Sequence, residues 1–121
     1  LAGVTVFVTE DNFLIAIEVA ALLAEAGATV EGPYPTLKLA RQALATTRAD
    51  VALLDIDLGA EEVFPVAAAL KRRGVPIAFH TGQPDRVELQ TVFASEHVCP
   101  KPSSADTIIA TLTAMRQRQA A

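Results

Sequence analysis

The sequence predicts an α/β protein with a parallel β-sheet that is covered by helices on both faces. Short runs of β-branched and aliphatic residues alternate five times with longer segments whose apolar residues recur at helical spacing. Turns between these segments are short, and there is no internal repeat. Strands joined by helices imply right-handed crossovers, so this alternation favours a doubly wound, five-stranded parallel sheet.

Composition restricts the class of protein. The 121 residues suit a single domain over 1–121, with an ordinary soluble composition of 51% hydrophobic and 20% charged residues. A net charge of −4 without a basic run argues against direct nucleic-acid binding. Cys99 is the only cysteine, which excludes an intrachain disulfide and favours a reducing compartment. No stretch has the length of a membrane span and no signal peptide is evident, so we expect a cytoplasmic protein.

The first strand and helix are predicted from a β-branched run followed by helical periodicity. The strand covers Val4–Thr9, and the helix has apolar residues at i, i+4, i+7 and i+8 from Ile15. Either Asp11 or Asn12 can cap the start of this helix, and Gly27 suits its end.

The second and third strands flank another helix. We predict the second strand at Ala28–Gly32, broken by the prolines of Pro33–Pro35, and a helix with apolar residues from Leu37 to Leu44. Val51–Asp55 is hydrophobic until its last residue and is predicted as the third strand.

The remaining elements follow the same rules. A loop at 56–62 leads to a helix that Gly74 ends, and Ile77–His80 forms the fourth strand. We expect a short helix from Asp85 to about Ala94 and a fifth strand at His97–Cys99. The last helix starts at Ser103, with Asp106 as its capping-box partner.

Polar residues follow four of the predicted strands. They are Glu10 and Asp11 after the first strand, Asp55 and Asp57 after the third, Thr81 after the fourth and Lys101 after the fifth. Sites in open α/β sheets form beyond the carboxyl ends of the strands, where these groups would converge. Carboxylates about 5 Å apart repel by roughly 3 kcal/mol per pair at an effective dielectric constant of about 20, which argues for a bound cation. Oxygen ligands suit Mg²⁺, and Lys101 and Thr81 suit the oxygens of a phosphoryl group, with one carboxylate as a possible nucleophile.

This order of residues resembles the receiver domain of bacterial two-component response regulators, over essentially the whole chain. The resemblance implies a flavodoxin-like fold with strand order 2-1-3-4-5, a site that needs Mg²⁺ or Mn²⁺, and phosphoryl transfer from a histidine kinase or histidine phosphotransfer protein. It assigns Asp55 as the phosphoacceptor, Glu10 and Asp11 as metal-binding acids, the backbone carbonyl of Asp57 as a further metal ligand, and Thr81 and Lys101 as contacts of the phosphoryl group.

A narrower resemblance concerns the FATGUY receivers, which mostly lack a DNA-binding output domain. It rests on "VEGPYPTLKLARQAL", "VALLDIDLGAEEVFPVAAALKRRGVPIAFHTG" and "CPKP". His80, Gln83 and Asp57 depart from the subgroup's usual residues. Val98 replaces the aromatic switch residue of most receivers, and the Lys101–Pro102 bond is expected to be cis. Our hypothesis is that Gln83 orients the water that hydrolyses the aspartyl phosphate.

Three other interpretations stay open at this point. The chain can be a receiver from a hybrid histidine kinase, a degenerate receiver that only docks, or a phosphatase of the haloacid dehalogenase type, whose Asp-x-Asp motif "DID" imitates. The preferred interpretation is a signalling phosphoacceptor with self-catalysed phosphorylation and dephosphorylation, rather than an enzyme with turnover. The sequence does not indicate the cognate kinase or the downstream target.

Overall fold

The computed structural model describes residues 1–120, and within them the five strands of the main sheet alternate with helices as predicted. The strands are β1 (Thr5–Thr9), β2 (Thr29–Tyr34), β3 (Val51–Leu54), β4 (Asp57–Leu58), β5 (Glu61–Glu62), β6 (Ile77–Thr81) and β7 (His97–Pro100). The helices are α1 (Phe13–Glu25), α2 (Leu37–Ala43), α3 (Phe64–Arg72), α4 (Val87–Gln90) and α5 (Ala105–Ala120). No helix in this part of the chain is both long and apolar enough to cross a membrane.

Five strands form one parallel sheet in the order β2-β1-β3-β6-β7. Since β6 and β7 are the predicted fourth and fifth strands, the predicted order 2-1-3-4-5 is confirmed. β4 and β5 form a separate antiparallel hairpin inside the segment 56–62, which the sequence predicted as a loop. Strands of two residues are too short to show an alternating pattern, so this hairpin has no sequence signal.

Two hydrophobic layers hold the helices against the sheet. Phe7 of β1 faces the layer that packs against α2 and α3, whereas Val6 and Val8 face the layer that packs against α1 and α5. Successive side chains of a strand point to opposite faces, so a strand with apolar residues throughout is buried on both sides. This burial explains why the strands read as continuous hydrophobic runs.

The second strand is longer than predicted. It continues through Pro33 to Tyr34, and the Gly32–Pro33 peptide bond is cis. Proline lacks a backbone N–H, but β2 is an edge strand, where a missing donor is tolerated. Gly32 has a φ of +94°, and a Cβ there would lie 2.6 Å from the carbonyl oxygen of Val8, so only glycine fits.

Two helix boundaries also differ from the prediction. The cap of α5 is Ser104, whose Oγ accepts from the backbone N–H of Thr107 at 3.1 Å, whereas the hydroxyl of Ser103 donates to the carbonyl of Pro100. Asp106 therefore lies in the first turn, where its charge favours the helix dipole, and is not a capping-box partner. The predicted helix from Asp85 to Ala94 is reduced to Val87–Gln90, because Thr91 leaves the helical conformation.

Candidate functional site

Three acidic side chains meet beyond the carboxyl ends of β1 and β3. Carboxylate oxygens of Glu10, Asp11 and Asp55 all lie within 4.8 Å of one another. The two strands are neighbours, and Thr9 pairs with Leu54, so the residues that follow each strand emerge side by side. Glu10 and Asp55 are buried and Asp11 is exposed, so the cluster has one side open to solvent.

The backbone of Asp55 is held by Thr9. The N–H of Asp55 donates to the carbonyl oxygen of Thr9 at 3.1 Å, and the Thr9 hydroxyl donates to the carbonyl oxygen of Asp55, also at 3.1 Å. These two hydrogen bonds hold the backbone from which the Asp55 side chain extends. The role of Thr9 has no signal in the sequence, because threonine is common inside strands and nothing distinguishes its hydroxyl.

Lys101 brings a positive charge to the cluster from the end of β7. Its Nζ lies 2.8 Å from Glu10 Oε1 and 3.4 Å from Asp55 Oδ1. Its backbone N–H donates to the carbonyl of Thr81 at 2.7 Å, and the following Lys101–Pro102 bond is cis, as expected. Burial acts to lower the pKa of Lys101, but the hydrogen bond to Glu10 and the charges of Asp55 and Glu10 outweigh it and raise that pKa. The ammonium therefore stays charged.

Asp55 is the most perturbed carboxyl in the cluster. Burial is the largest cause, and the hydrogen bond and charge of Glu10 add to it, so the pKa of Asp55 rises from 3.8 to about 7 although Lys101 acts in the opposite direction. Additional positive charge would stabilise the ionised form of Asp55. Strong perturbation by both burial and a specific partner is a frequent property of functional carboxyls.

The donor set fits a hard divalent cation. It consists of carboxylate oxygens only, and two of the three carboxyls are buried, so its chemistry suits an ion that prefers oxygen ligands. Glu10, Asp11 and Asp55 would hold such an ion, and its charge would offset the repulsion between them. Asp11 is tied to the neighbouring hairpin, since its Oδ2 accepts from the N–H of Gly59 at 3.0 Å.

Thr81 and Gln83 lie on the segment that leaves β6. Thr81 is buried at the end of that strand, and its Oγ1 accepts from the backbone N–H of Gln83 at 3.0 Å. Within residues 1–120 the Thr81 hydroxyl donates to no acceptor, so its proton is available to a ligand. Gln83 is exposed, and its Oε1 lies 3.4 Å from Nη1 of Arg86.

The side chain of Asp57 does not join the acidic cluster. Its two carboxylate oxygens instead bind Nη1 of Arg86 at 2.9 and 3.1 Å. The resemblance assigned only the backbone carbonyl of Asp57 to the metal, and that assignment stays a prediction. The role of Arg86 has no signal in the sequence, since its partners come from separate segments that no helical or strand spacing connects.

Two further residues distinguish this site. His80 is 6% exposed, lies beside the Lys101 turn, and has a pKa lowered by burial and then by the charge of Lys101. Val98 stands where most receivers have an aromatic switch residue. It packs against the layer that contains α3. The site therefore has a neutral histidine at position 80 and a small aliphatic side chain at position 98.

An apolar surface borders the acidic cluster. Phe13, Leu14 and Ile17 on α1 are 75%, 70% and 51% exposed. A groove of about 360 Å³ runs beside them and is also lined by Glu10 and Asp11. Large apolar side chains grouped at the edge of a charged site are unusual unless a partner covers them.

Comparison with solved structures gives close matches over nearly the whole chain, whereas comparisons with protein-family models and with curated proteins gave no match. A two-component response regulator from Clostridium difficile has a TM-score of 0.86 at 15% identity, with 98% of this chain and 99% of that chain covered. The signal receiver domain of a modulated diguanylate cyclase from Desulfovibrio desulfuricans G20 has a TM-score of 0.83 at 28% identity, with 95% and 94% covered. The PhyR response regulator REC domain of Erythrobacter litoralis has a TM-score of 0.80 at 25% identity, with 93% and 88% covered.

The chain therefore has the fold of response regulator receiver domains. The sheet order and the two helical layers are those of this class, and the resemblance stated from the sequence is confirmed at this level. Membership of the FATGUY subgroup stays a prediction.

Proposed function

We propose that residues 1–121 form one receiver domain that accepts a phosphoryl group on Asp55 from the phosphohistidine of a histidine kinase or histidine phosphotransfer protein in the cytoplasm. The observation that carries this proposal is the meeting of Glu10, Asp11, Asp55 and Lys101 at one edge of the sheet. Such a cluster is costly for folding alone, and its charges match those of a phosphoryl group with a divalent cation.

Transfer requires an oxygen of Asp55 to attack phosphorus in line with the departing imidazole nitrogen. One O–P bond forms while the N–P bond breaks, and the product is an aspartyl phosphate with a neutral imidazole after protonation. Lys101 is 3.4 Å from Asp55 and offsets negative charge on the transferring oxygens. A Mg²⁺ held by Glu10, Asp11, Asp55 and the carbonyl of Asp57 would supply further charge neutralisation when bound.

The new phosphoryl group would recruit Thr81. Its hydroxyl keeps a free proton while its oxygen accepts from Gln83, so a bond to phosphate pulls the segment after β6 inward. Because Val98 replaces an aromatic switch, the change would pass through this segment, α4 and the Lys101–Pro102 turn. We propose that the domain signals by contact with a downstream protein.

Two alternatives from the sequence are less well supported. A haloacid-dehalogenase-type phosphatase would use the second aspartate of "DID" as an acid-base, but the Asp57 side chain is bound to Arg86 outside the cluster. A degenerate receiver would have no use for the buried acids. A receiver from a hybrid histidine kinase shares all the features of the site and stays open.

Intact-mass measurement tests the proposal. Incubation of the protein with acetyl phosphate and Mg²⁺ should add the mass of one phosphoryl group, and the Asp55→Asn variant should gain none. The matched control is Asp57→Asn, which should still be modified, because that carboxylate lies outside the cluster. A wild-type protein that stays unmodified, while a known receiver in the same buffer is modified, would reject the proposed function.

A further inference from the structure

Arg86 bridges the two segments that follow the phosphoacceptor and Thr81. Its Nη1 binds both carboxylate oxygens of Asp57 at 2.9 and 3.1 Å and lies 3.4 Å from Oε1 of Gln83. Its Nη2 pairs with Glu62 of β5, and its Nε lies 3.9 Å from Glu88 of α4. One guanidinium thus connects the β4–β5 hairpin with the segment that leaves β6.

The bridge is anchored to the core. The Arg86 side chain is 15% exposed, and its guanidinium carbon lies 5.7 Å from the centre of the Phe64 ring. Phe64 in turn packs against Phe79 and Phe93, with ring centres 6.1 and 5.5 Å apart. Stacking on an aromatic ring and several charged partners together restrict the guanidinium far more than an isolated surface ion pair would.

The groups that Arg86 holds are both hydrogen-bond acceptors. A guanidinium offers five donors and no acceptor, so it donates to the Asp57 carboxylate, which is 58% exposed, and at 3.4 Å to the Gln83 amide oxygen. Asp57 stands two positions after Asp55, which follows β3, and Gln83 stands two positions after Thr81, which ends the neighbouring strand β6. Hydrolysis of the aspartyl phosphate forms a bond from water oxygen to phosphorus, breaks the bond from Asp55 to phosphorus, and needs an acceptor for the proton that water loses.

We propose that Arg86 is a positioning residue that lengthens the life of the aspartyl phosphate by keeping the Asp57 and Gln83 oxygens from accepting the proton of the attacking water. This inference rests on the proposed function and deepens it. It also changes the expectation for Gln83. While Arg86 holds the amide oxygen, Gln83 contributes little to hydrolysis, and its contribution grows once Arg86 is removed.

The test compares the decay of phosphorylated wild-type protein with that of Arg86→Met, whose side chain can still cover Phe64. After loading with acetyl phosphate and removal of the reagent, intact mass is followed over time at fixed Mg²⁺. We expect decay to be about fivefold faster in Arg86→Met, well below the roughly hundredfold that a fully positioned base provides, because water also solvates the freed oxygens. Adding Gln83→Ala to Arg86→Met should slow the decay again. The same Gln83→Ala substitution should change the decay rate less in the wild-type protein than in Arg86→Met.

A merely structural role predicts a different pattern. General loosening of the segment would accelerate decay equally with and without Gln83, so the absence of this coupling, or an unchanged or slower decay in Arg86→Met, overturns the inference. Arg86→Lys keeps the charge but not the forked geometry, so its decay rate should lie between those of the wild type and Arg86→Met. This variant replaces Arg86→Met in the test if Arg86→Met does not fold. Failure of the wild type to be phosphorylated would instead reject the proposed function itself, and the inference with it.

Discussion

Asp55 carries the largest electrostatic cost among the residues of the site. It is 8% exposed, and the neighbouring Glu10 adds negative charge that Lys101 only partly offsets. Its pKa in the folded protein is about 7, compared with 3.8 for an ordinary aspartate, so at neutral pH the metal-free protein holds a carboxyl that is close to taking up a proton. The residue that we propose to accept the phosphoryl group is thus also a source of instability.

The pH dependence of stability should reveal this cost. Because folding raises the pKa of Asp55, the folded state binds the proton more tightly, and the destabilisation is absent below about pH 4 and complete above about pH 7. In metal-free buffer, Asp55→Asn should therefore raise the melting temperature clearly at about pH 8 and much less at about pH 5. Calorimetry of both proteins across this range measures the difference.

Mg²⁺ is the control for that experiment. An ion bound by the acids stabilises the wild-type protein by mass action and should reduce or reverse the advantage of Asp55→Asn at alkaline pH. An advantage that is independent of pH, or a wild type that millimolar Mg²⁺ leaves unchanged, would contradict the electrostatic origin of the effect.

Residue-level predictability depends on whether a residue sits at a strand end. Glu10, Asp55, Thr81 and Lys101 each lie at the end of a recognisable strand, so their convergence could be expected from the sequence alone. Arg86 could not, because its partners Asp57, Glu62 and Glu88 belong to three different elements and meet it only through the tertiary fold.

Helix α1 shows how one element serves two purposes. Val19 and Leu23 pack into the core on one face, and Phe13 and Ile17 face solvent beside the acids. A helix that is apolar on more than one face normally packs against something on each. We therefore expect the exposed face to contact the protein that donates the phosphoryl group.

Phosphotransfer with two donors tests this expectation. Phe13→Ala should slow transfer from a phosphorylated histidine phosphotransfer protein by about tenfold, as loss of an aromatic anchor does at protein interfaces, but leave the reaction with acetyl phosphate unchanged. Val92→Ala is the matched control, since Val92 is 66% exposed and does not line the groove beside the acids. Equal slowing with both donors would mean that Phe13 acts on the site itself rather than on docking.

The helices and strands differ in how clearly the sequence pattern predicts them. Helix α3 and strand β3 have clear periodicity or a long apolar run, and both appear close to where they were predicted. α4 is shorter than predicted because Thr91 leaves the helix and its hydroxyl donates to the carbonyl of Val87, a local bond that competes with helix continuation. The β4–β5 hairpin is tied to the rest of the fold by the bond from the Gly59 N–H to Asp11 and by the ion pair of Glu62 with Arg86.

At the scale of the whole molecule, the sheet separates two cores that do not share side chains. Ile77 belongs to the layer with α2 and α3, and Ile108 to the layer with α1 and α5. The alternation of strands and helices in the sequence was enough to predict both layers. The order of the strands came from the resemblance to receivers, because periodicity carries no information on which strands are neighbours.

The separation of the cores predicts additive stability changes. Ile77→Val and Ile108→Val should each lower the free energy of unfolding by about 1 kcal/mol, and the double variant by about 2 kcal/mol, since distant sites without shared partners do not couple. Urea unfolding followed by circular dichroism measures all three. A double variant that departs from the sum by more than about 0.5 kcal/mol would mean that the sheet transmits packing changes between its faces.

Both margins of the sheet contain a proline, Pro33 in β2 and Pro100 in β7. An imide nitrogen has no hydrogen to offer, so neither margin presents an uninterrupted ladder of donors to a strand from another molecule. Fibril-like stacking of copies is thereby disfavoured at both edge strands, β2 and β7. We therefore expect partner proteins to bind the helices and the rim above the acids rather than to extend the sheet.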